Sequence, residues 1–184
     1  MASSLDFNRI IQRSIAVSQL VQRTYREIAV DPRATGEAAI VVVAVAIASG
    51  IGGAANGFGG IVAGVISAFI SWLLFAAVAW FFGTQLFGTP TTHGSRDGLI
   101  RTLGYAKAPA LLNLLGFIPL IGWIFGTVAW VWVIITSLFA IRQVLGLSTG
   151  RAIITAIVAA IASGIIIGLV GIIFGIGFVL VGGM

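Results

Sequence analysis

The sequence predicts an all-α, polytopic membrane protein with five transmembrane helices, preceded by an N-terminal amphipathic helix. Of its 184 residues 59% are apolar and only 8% are charged, which is more apolar surface than one soluble core of this length can bury. The apolar residues also form five long segments, and a helix needs about 20 such residues to cross a bilayer core of about 30 Å. We therefore expect most of the chain to face lipid.

The N-terminal region, residues 1–36, differs from the rest because it holds over half of the charged residues and no long apolar run. On a helical wheel its apolar residues from Phe7 to Ala29 fall on one arc of about 120°. This pattern predicts a single amphipathic helix over about residues 4–30. Ser3 and Asp6 have the spacing of a capping box, and Asp31-Pro32 ends the pattern, because proline disfavours helical geometry in the residue before it.

The polar face of this helix is rich in arginine, which suits a bilayer surface with anionic headgroups or the cytoplasmic ends of the chain's own membrane helices. A docking site for a soluble partner is the alternative. The lipid bilayer is the first partner that we predict, with headgroup contacts from Arg9, Arg13, Arg23 and Arg26.

Residues 37–184 are predicted to form one five-helix transmembrane domain. The second and third segments are separated by the only polar connection of any size, Gly88–Asp97, and Pro119 with Gly122 marks a turn between the third and the fourth. The predicted spans are at about 37–55, 58–87, 98–118, 121–141 and 152–180.

The orientation follows from lysine and arginine, because short cytoplasmic loops carry an excess of these residues. Five spans that start from a cytoplasmic N-terminus place all ten on the cytoplasmic side. A four-span alternative, in which the third segment is a re-entrant hairpin, moves Arg142 and Arg151 to the other side. The charge distribution therefore favours five spans, with the C-terminus outside.

The third segment is unusual because it contains Lys107, Pro109 and Asn113. A long basic side chain near a helix end can extend to the membrane interface, so Lys107 does not by itself indicate a transport site. Pro109 is expected to kink the helix. Asn113 is a candidate to bond the carbonyl that the proline frees, or to bond a neighbouring helix.

The order of several short segments resembles the Yip domain family of small multi-pass membrane proteins. "GYAKAP", which contains Gly104, Tyr105 and Pro109, is followed by "IPLIG", a Trp-rich fourth span, "FAIRQVLGLSTGRAI" and a glycine-rich last span. The similarity covers roughly residue 25 to the C-terminus. It implies a five-helix domain with a cytoplasmic N-terminus, in agreement with the charge distribution.

Eukaryotic members of that family are associated with Rab-type GTPases and carry an acidic, aromatic Asp-Leu-Tyr-Gly-Pro segment before the first span. This chain has no such segment, so the Rab partnership is not carried over. The chain is similar to the bacterial branch, for which no chemistry is established. That similarity implies a location in a bacterial cytoplasmic membrane.

The residues do not predict an enzyme, a cofactor or a metal site. No Asp or Glu stands in the interior of a predicted span, and the serines and threonines have no evident base partner. His93 is the only histidine, and the chain has no cysteine with which it could share a metal. The net charge of +5 belongs to the membrane flanks, so no nucleic-acid partner is predicted.

Glycines four residues apart let membrane helices approach closely. They either close the bundle on itself or form contacts with other membrane proteins or a second copy of the chain, and the fifth helix is the first candidate for an external contact. The candidate packing or partner-contact residues are Gly60, Gly64, Gly122, Gly126, Gly164, Gly168, Gly171 and Gly175.

These observations favour a structural or interaction module, or an accessory subunit of a larger membrane complex. The alternative is a small-solute or ion transporter or channel with a site near the kinked third span. An inverted repeat, typical of many transporters, is not apparent in the sequence.

Overall fold

A computed structural model describes residues 6–52, 57–90, 92 and 94–182, with the side chains of 57–60 and 173–182 excepted. Over these residues the regular structure is entirely helical, which confirms the predicted all-α class. A single turn of π-helix, Phe82–Leu86, extends the fourth α-helix. The α-helices are α1 (Phe7–Ser18), α2 (Gln22–Val30), α3 (Ala34–Gly52), α4 (Gly57–Phe81), α5 (Arg96–Tyr105), α6 (Gly122–Leu145) and α7 (Thr149–Gly182).

Four helices in the described ranges are long and apolar enough to cross a membrane, where the sequence predicted five. They are Ala34–Gly52, Ile61–Leu86, Gly122–Leu145 and Thr149–Ile172. The third predicted span, 98–118, is instead divided into α5 and a 3₁₀ helix, Ala108–Phe117, here called the 3₁₀ segment. Neither part alone has the length of a membrane-crossing α-helix.

Pro109 explains why this segment breaks rather than merely kinks. Proline has no amide hydrogen, so it cannot donate to the carbonyls of the preceding turn. Thr136 of α6 compensates, because its hydroxyl donates to the carbonyl of Ala106 at 2.7 Å. Asn113 does not serve that carbonyl. Its side chain donates to Ser49 of α3 at 3.0 Å, which is the other role that the sequence analysis allowed.

The broken segment runs beside α3 in the same direction over the whole length of that helix. At its start Arg101 donates to Thr35 at 2.8 Å, and at its end Asn113 donates to Ser49. Gly52 and Gly116 then meet so closely that a Cβ on Gly52 would lie 1.7 Å from a main-chain oxygen of the 3₁₀ segment. We call the two ends of the bundle the Glu37 end and the Asn113 end.

The N-terminal region forms two helices where a single one was predicted. The chain turns between α1 and α2 at Leu20, which has a left-handed φ of 60°. Tertiary hydrogen bonds hold this turn, since Tyr25 donates to the carbonyl of Val17 at 2.9 Å and Trp132 donates to that of Ser18 at 2.8 Å. These partners lie 8 and 114 residues away, so local periodicity could not reveal the break.

Both N-terminal helices share the hydrophobic core of the bundle. Ile10 and Val17 of α1 are buried, as are Tyr25 and Ile28 of α2. Tyr25 also makes an edge-to-face contact with Phe139 of α6, with ring centroids 5.2 Å apart. The burial of these side chains fixes α1 and α2 against α5 and α6.

Candidate functional site

Charged side chains join α1 to the bundle around one buried carboxylate. Glu37, in the first turn of α3, accepts hydrogen bonds from Arg9, from Arg13 at 2.8 Å and from the Tyr105 hydroxyl at 2.6 Å. Arg13 also donates to Asp31 at 2.8 Å. We call these five residues the charged junction.

Glu37 is the centre of the junction because it is only 1% exposed while Arg9 and Arg13 still reach solvent. A carboxylate in the first turn of a helix is favoured by the helix dipole, and its three donors offset the loss of hydration. Asp6 contributes indirectly by capping α1, since it accepts from the backbone of Arg9 at 3.2 Å.

Asp31 is the more exposed of the two carboxylates in the junction. Partial burial would by itself raise its pKa, but hydrogen bonds from the Arg13 side chain and the Arg33 backbone outweigh that effect and lower it. Asp31 therefore stays ionised at neutral pH. It accepts a hydrogen bond from one terminal nitrogen of the Arg13 guanidinium, while the other nitrogen donates to Glu37. Since its pKa is depressed on folding, the stability from this pair exists above the ordinary carboxylate pKa and is lost on strong acidification.

The four arginines predicted to contact headgroups have different surroundings. Arg9 and Arg13 are engaged by the junction at the first turn of α3, which agrees with the predicted alternative that the arginine face contacts the ends of the membrane helices, although Glu37 was not predicted as their partner. Arg23 forms an exposed ion pair with Glu27, and Arg26 donates to Gln143 at 3.4 Å. Their contact with lipid headgroups stays a prediction.

The carboxylate that binds these arginines had only a weak signal in the sequence. Arg9 and Arg13 are four residues apart, so they share one face of a helix, and Glu37 opens the first apolar segment. Its place at the edge of a predicted span does not by itself identify Glu37 as the partner of the arginine face. Tyr105, the third donor to Glu37, is 68 residues away from it in sequence.

The Gly104–Pro109 motif supplies Tyr105 to the junction and brings α5 into contact with α3 and α4. Gly104 lies against both neighbours, since a Cβ there would be 2.7 Å from Ala38 and 2.9 Å from the ring of Trp72. The indole of Trp72 is fixed by donating to the carbonyl of Ile100 at 2.9 Å. Tyr105 supplies the hydroxyl on Glu37, and Pro109 forces the break that follows.

Lys107 lies within the bundle, where it lines two cavities. One, of about 420 Å³, lies between α3 and α4 and is also lined by Ser49, Ser67 and Ser71; we call it the serine cavity. The other, of about 330 Å³, is mainly apolar and includes Trp72. The Lys107 ammonium group has no hydrogen bond or ion pair with any described residue. Whether the Lys107 side chain extends to the membrane interface stays a prediction.

The candidate glycines divide into two groups. A Cβ on Gly122 would lie 2.3 Å from the carbonyl oxygen of Gly116, so this glycine closes the turn between the 3₁₀ segment and α6. The other group has open space, with nothing within 4 Å of the added Cβ. Its members are Gly64, Gly126, Gly164, Gly168 and Gly171. Gly60 and Gly175 lie outside the residues whose surroundings are described.

The three open glycines of α7 form one stripe, because Gly164, Gly168 and Gly171 are four and three residues apart. The opposite face of α7 packs on the bundle through buried Ala152, Thr155 and Ala159. The bundle that the chain forms alone therefore leaves open space around the glycine stripe, and Gly171 borders the crevice between α4 and α7.

Within the described part of the chain no cluster of three or more His, Asp or Glu side chains could hold a metal ion. His93 lies outside the described residues, so its predicted place in a polar loop stays a prediction. The chemistry that the site offers is non-covalent: an ion-paired junction, a lysine beside three hydroxyls, and an open helix face.

The Yip1 domain matches residues 19–173. The chain belongs to the Yip1 domain family. No curated protein and no solved structure matches it significantly. The resemblance inferred from the motif and segment order is therefore confirmed.

The Yip1 domain includes α2 to α6, the 3₁₀ segment and most of α7. Glu37, Tyr105 and Lys107 lie inside it, whereas Arg9 and Arg13 precede it. The junction thus connects the Yip1 domain to a helix outside the match. Together with the four apolar helices, membership of the family identifies the chain as a multi-pass membrane protein.

Proposed function

We propose that this Yip1-domain protein is a non-enzymatic interaction module of a bacterial cytoplasmic membrane, where it serves as an accessory subunit of a larger complex. The observation that carries the proposal is the open glycine stripe of α7. Small residues let another membrane helix approach closely, and van der Waals contact is the main attraction between helices in lipid. The bundle itself does not use this stripe.

Exposed indoles add to the surface available to lipid or to a partner. Trp123 and Trp130 of α6 are 72% and 67% exposed. Tryptophan is favoured near membrane interfaces and at binding surfaces because it combines a large apolar ring with one donor.

Enlarging the central glycine of the stripe is expected to dissociate the complex. Gly168→Leu places a branched side chain where a partner helix would approach, so the fraction of tagged protein in a larger particle is expected to fall about tenfold. The measurement is size exclusion of native-membrane extract in mild detergent, with mass spectrometry of the co-eluting chains.

Leu169→Trp is the matched control, because it adds bulk to an exposed position about 100° around the same helix from Gly168. It should leave the particle intact. An isolated monomer for the parent protein, or equal loss in both variants, would contradict a partner at the glycine stripe.

The same proposal places five crossings in the membrane, with the N-terminus in the cytoplasm and the C-terminus outside. Its support is the path of α5 and the 3₁₀ segment beside α3, from the Glu37 end to the Asn113 end. Arg26 and Arg142 also line one surface pocket, as expected if the basic loops share the cytoplasmic side.

Single cysteines test this topology, since the chain has none of its own. Leu120→Cys, 90% exposed between the 3₁₀ segment and α6, is expected to react with an impermeant thiol reagent added outside the cell. Ser148→Cys, between α6 and α7, is expected to react only after lysis. The re-entrant hairpin alternative predicts the reverse pattern.

A transporter or channel with its site at the broken third segment is the second candidate, favoured by the Lys107 cavities. Lys107→Met should then abolish small-anion flux into proteoliposomes. Flux that is absent, or unchanged by this substitution, would count against the candidate.

A further inference from the structure

We propose that the serine cavity binds the acidic headgroup of an acyl lipid, with Lys107 as its counter-charge. No acidic side chain forms an ion pair with this lysine. The chain has only five acidic residues, and four of them are engaged elsewhere. Glu37 and Asp31 belong to the junction, Glu27 pairs with Arg23, and Asp6 caps α1.

The fifth acidic residue, Asp97, lies in the first turn of α5 and forms no ion pair with Lys107. An ammonium group inside a helical bundle is costly unless an anion or several hydrogen-bond acceptors face it. No acidic side chain and no described acceptor faces Lys107, which leaves a place for an anion from outside the chain.

The polar walls of the serine cavity match an acidic oxygen group. Ser67 and Ser71 of α4 make no hydrogen bond with any described residue, so both hydroxyls remain free to donate. Ser49 accepts from Asn113 and keeps its own hydroxyl proton. One ammonium and three hydroxyls around a volume of about 420 Å³ offer charge-assisted hydrogen bonds to a carboxylate or a phosphate.

The ligand is assigned an acyl chain because the same serines open into an apolar crevice. Ser67 and Ser71 also line a second cavity of about 420 Å³, between α4 and α7. Apart from the two serines its lining is aliphatic, with Ile66, Ile70 and Val170 among its residues. A headgroup beside Lys107 can thus extend its hydrocarbon chain into this crevice, in the order polar then apolar that an amphiphile requires.

The cavity is also reachable from the bilayer. Gly64 and Ser67 are exposed on the outer side of α4, and nothing lies within 4 Å of a Cβ built on Gly64. A lipid can therefore enter sideways between helices without unfolding the bundle. A fatty acid and an anionic phospholipid share the chemistry required, a negatively charged oxygen group on an acyl chain.

Native mass spectrometry of the full-length protein in non-ionic detergent tests the proposal with four probes: oleate, dioleoyl phosphatidylglycerol, dioleoyl phosphatidylcholine and inorganic phosphate. We expect one molecule of oleate or of phosphatidylglycerol to bind, and the tighter of the two identifies the source of the acid group. Phosphatidylcholine and inorganic phosphate are expected to bind at least about tenfold more weakly, because each lacks either the net charge or the chain.

Substitutions assign the binding to the cavity. Lys107→Met keeps the length and removes the charge, and it is expected to weaken acidic-lipid binding about tenfold or more. Lys107→Arg is expected to retain most of it. Arg151→Met, which removes an exposed cation at the start of α7, is the matched control and should have no effect.

Ser67→Leu provides an independent variant that leaves Lys107 intact. It fills the passage between the two cavities at an exposed position, so it should weaken lipid binding without unfolding the protein. Equal acidic-lipid binding by the parent protein, Lys107→Met and Ser67→Leu would overturn the proposal. Equal affinity for inorganic phosphate and phosphatidylglycerol would overturn the assignment of the acyl chain.

Discussion

Replacing Glu37 with glutamine is expected to detach α1 from the bundle and to lower the free energy of unfolding by about 3 kcal/mol. The substitution leaves two arginines beside a neutral amide in a buried site. Breaking a buried ion pair on one side costs roughly 3–5 kcal/mol, and the partial exposure of Arg9 and Arg13 places this case near the lower limit. Unfolding in mixed micelles measures the loss.

Detachment of α1 can be measured separately with a cysteine at Ile10, which is only 6% exposed in the folded protein. Its reaction with a thiol reagent should accelerate in the Glu37→Gln background. Glu27→Gln is the control, because the Arg23–Glu27 pair is exposed and such pairs contribute about 0–1 kcal/mol. If both glutamine variants behave alike, the junction does not hold α1.

The junction also explains how α1 can expose apolar residues while its arginines face inward. Phe7, Ile11 and Ile15 are 62%, 55% and 53% exposed, and they lie four residues apart on one side of the helix. The arginine face was predicted to contact headgroups or the ends of the membrane helices. In the structure two of these arginines bind Glu37, so the exposed apolar row is the part of α1 available to acyl chains.

The all-α class and the bounds of the first and fourth spans could be predicted, because the length and hydropathy of a helix are properties of its own segment. The predicted fourth span, 121–141, corresponds to Gly122–Leu145, and the first, 37–55, corresponds to Ala34–Gly52. The division of the third span did not follow. Pro109 indicated a kink, but the Thr136 hydroxyl that stabilises a full break comes from a helix distant in sequence.

The candidate site was predictable only in part for the same reason. The motif around Gly104 and Tyr105 was visible as a pattern, whereas its purpose depends on Glu37 and Trp72, which the fold brings from other helices. Glycine spacing likewise could not separate Gly122, used in a turn, from Gly168, which faces away from the bundle. That distinction requires the neighbouring backbone.

Substituting Gly104 with alanine is expected to destabilise the protein by about 1–3 kcal/mol, although alanine is the better helix former. The new methyl group would lie 2.7 Å from the Cβ of Ala38 and 2.9 Å from the Trp72 ring. Ala38 has no rotamer to change, and the buried indole is held by its bond to Ile100. Helix α5 must therefore move away from α3, which also pulls Tyr105 from Glu37.

Gly126→Ala is the matched control on α6, because a Cβ there meets nothing within 4 Å. It is expected to be neutral or to stabilise by up to about 1 kcal/mol through helix propensity. The pair should thus differ in sign in the same unfolding assay. Adding Ala38→Gly to Gly104→Ala is expected to recover part of the loss, because it removes the shorter contact, and non-additivity is the mark of direct contact. Equal stability of Gly104→Ala and Gly126→Ala would contradict the close approach of α5 to α3.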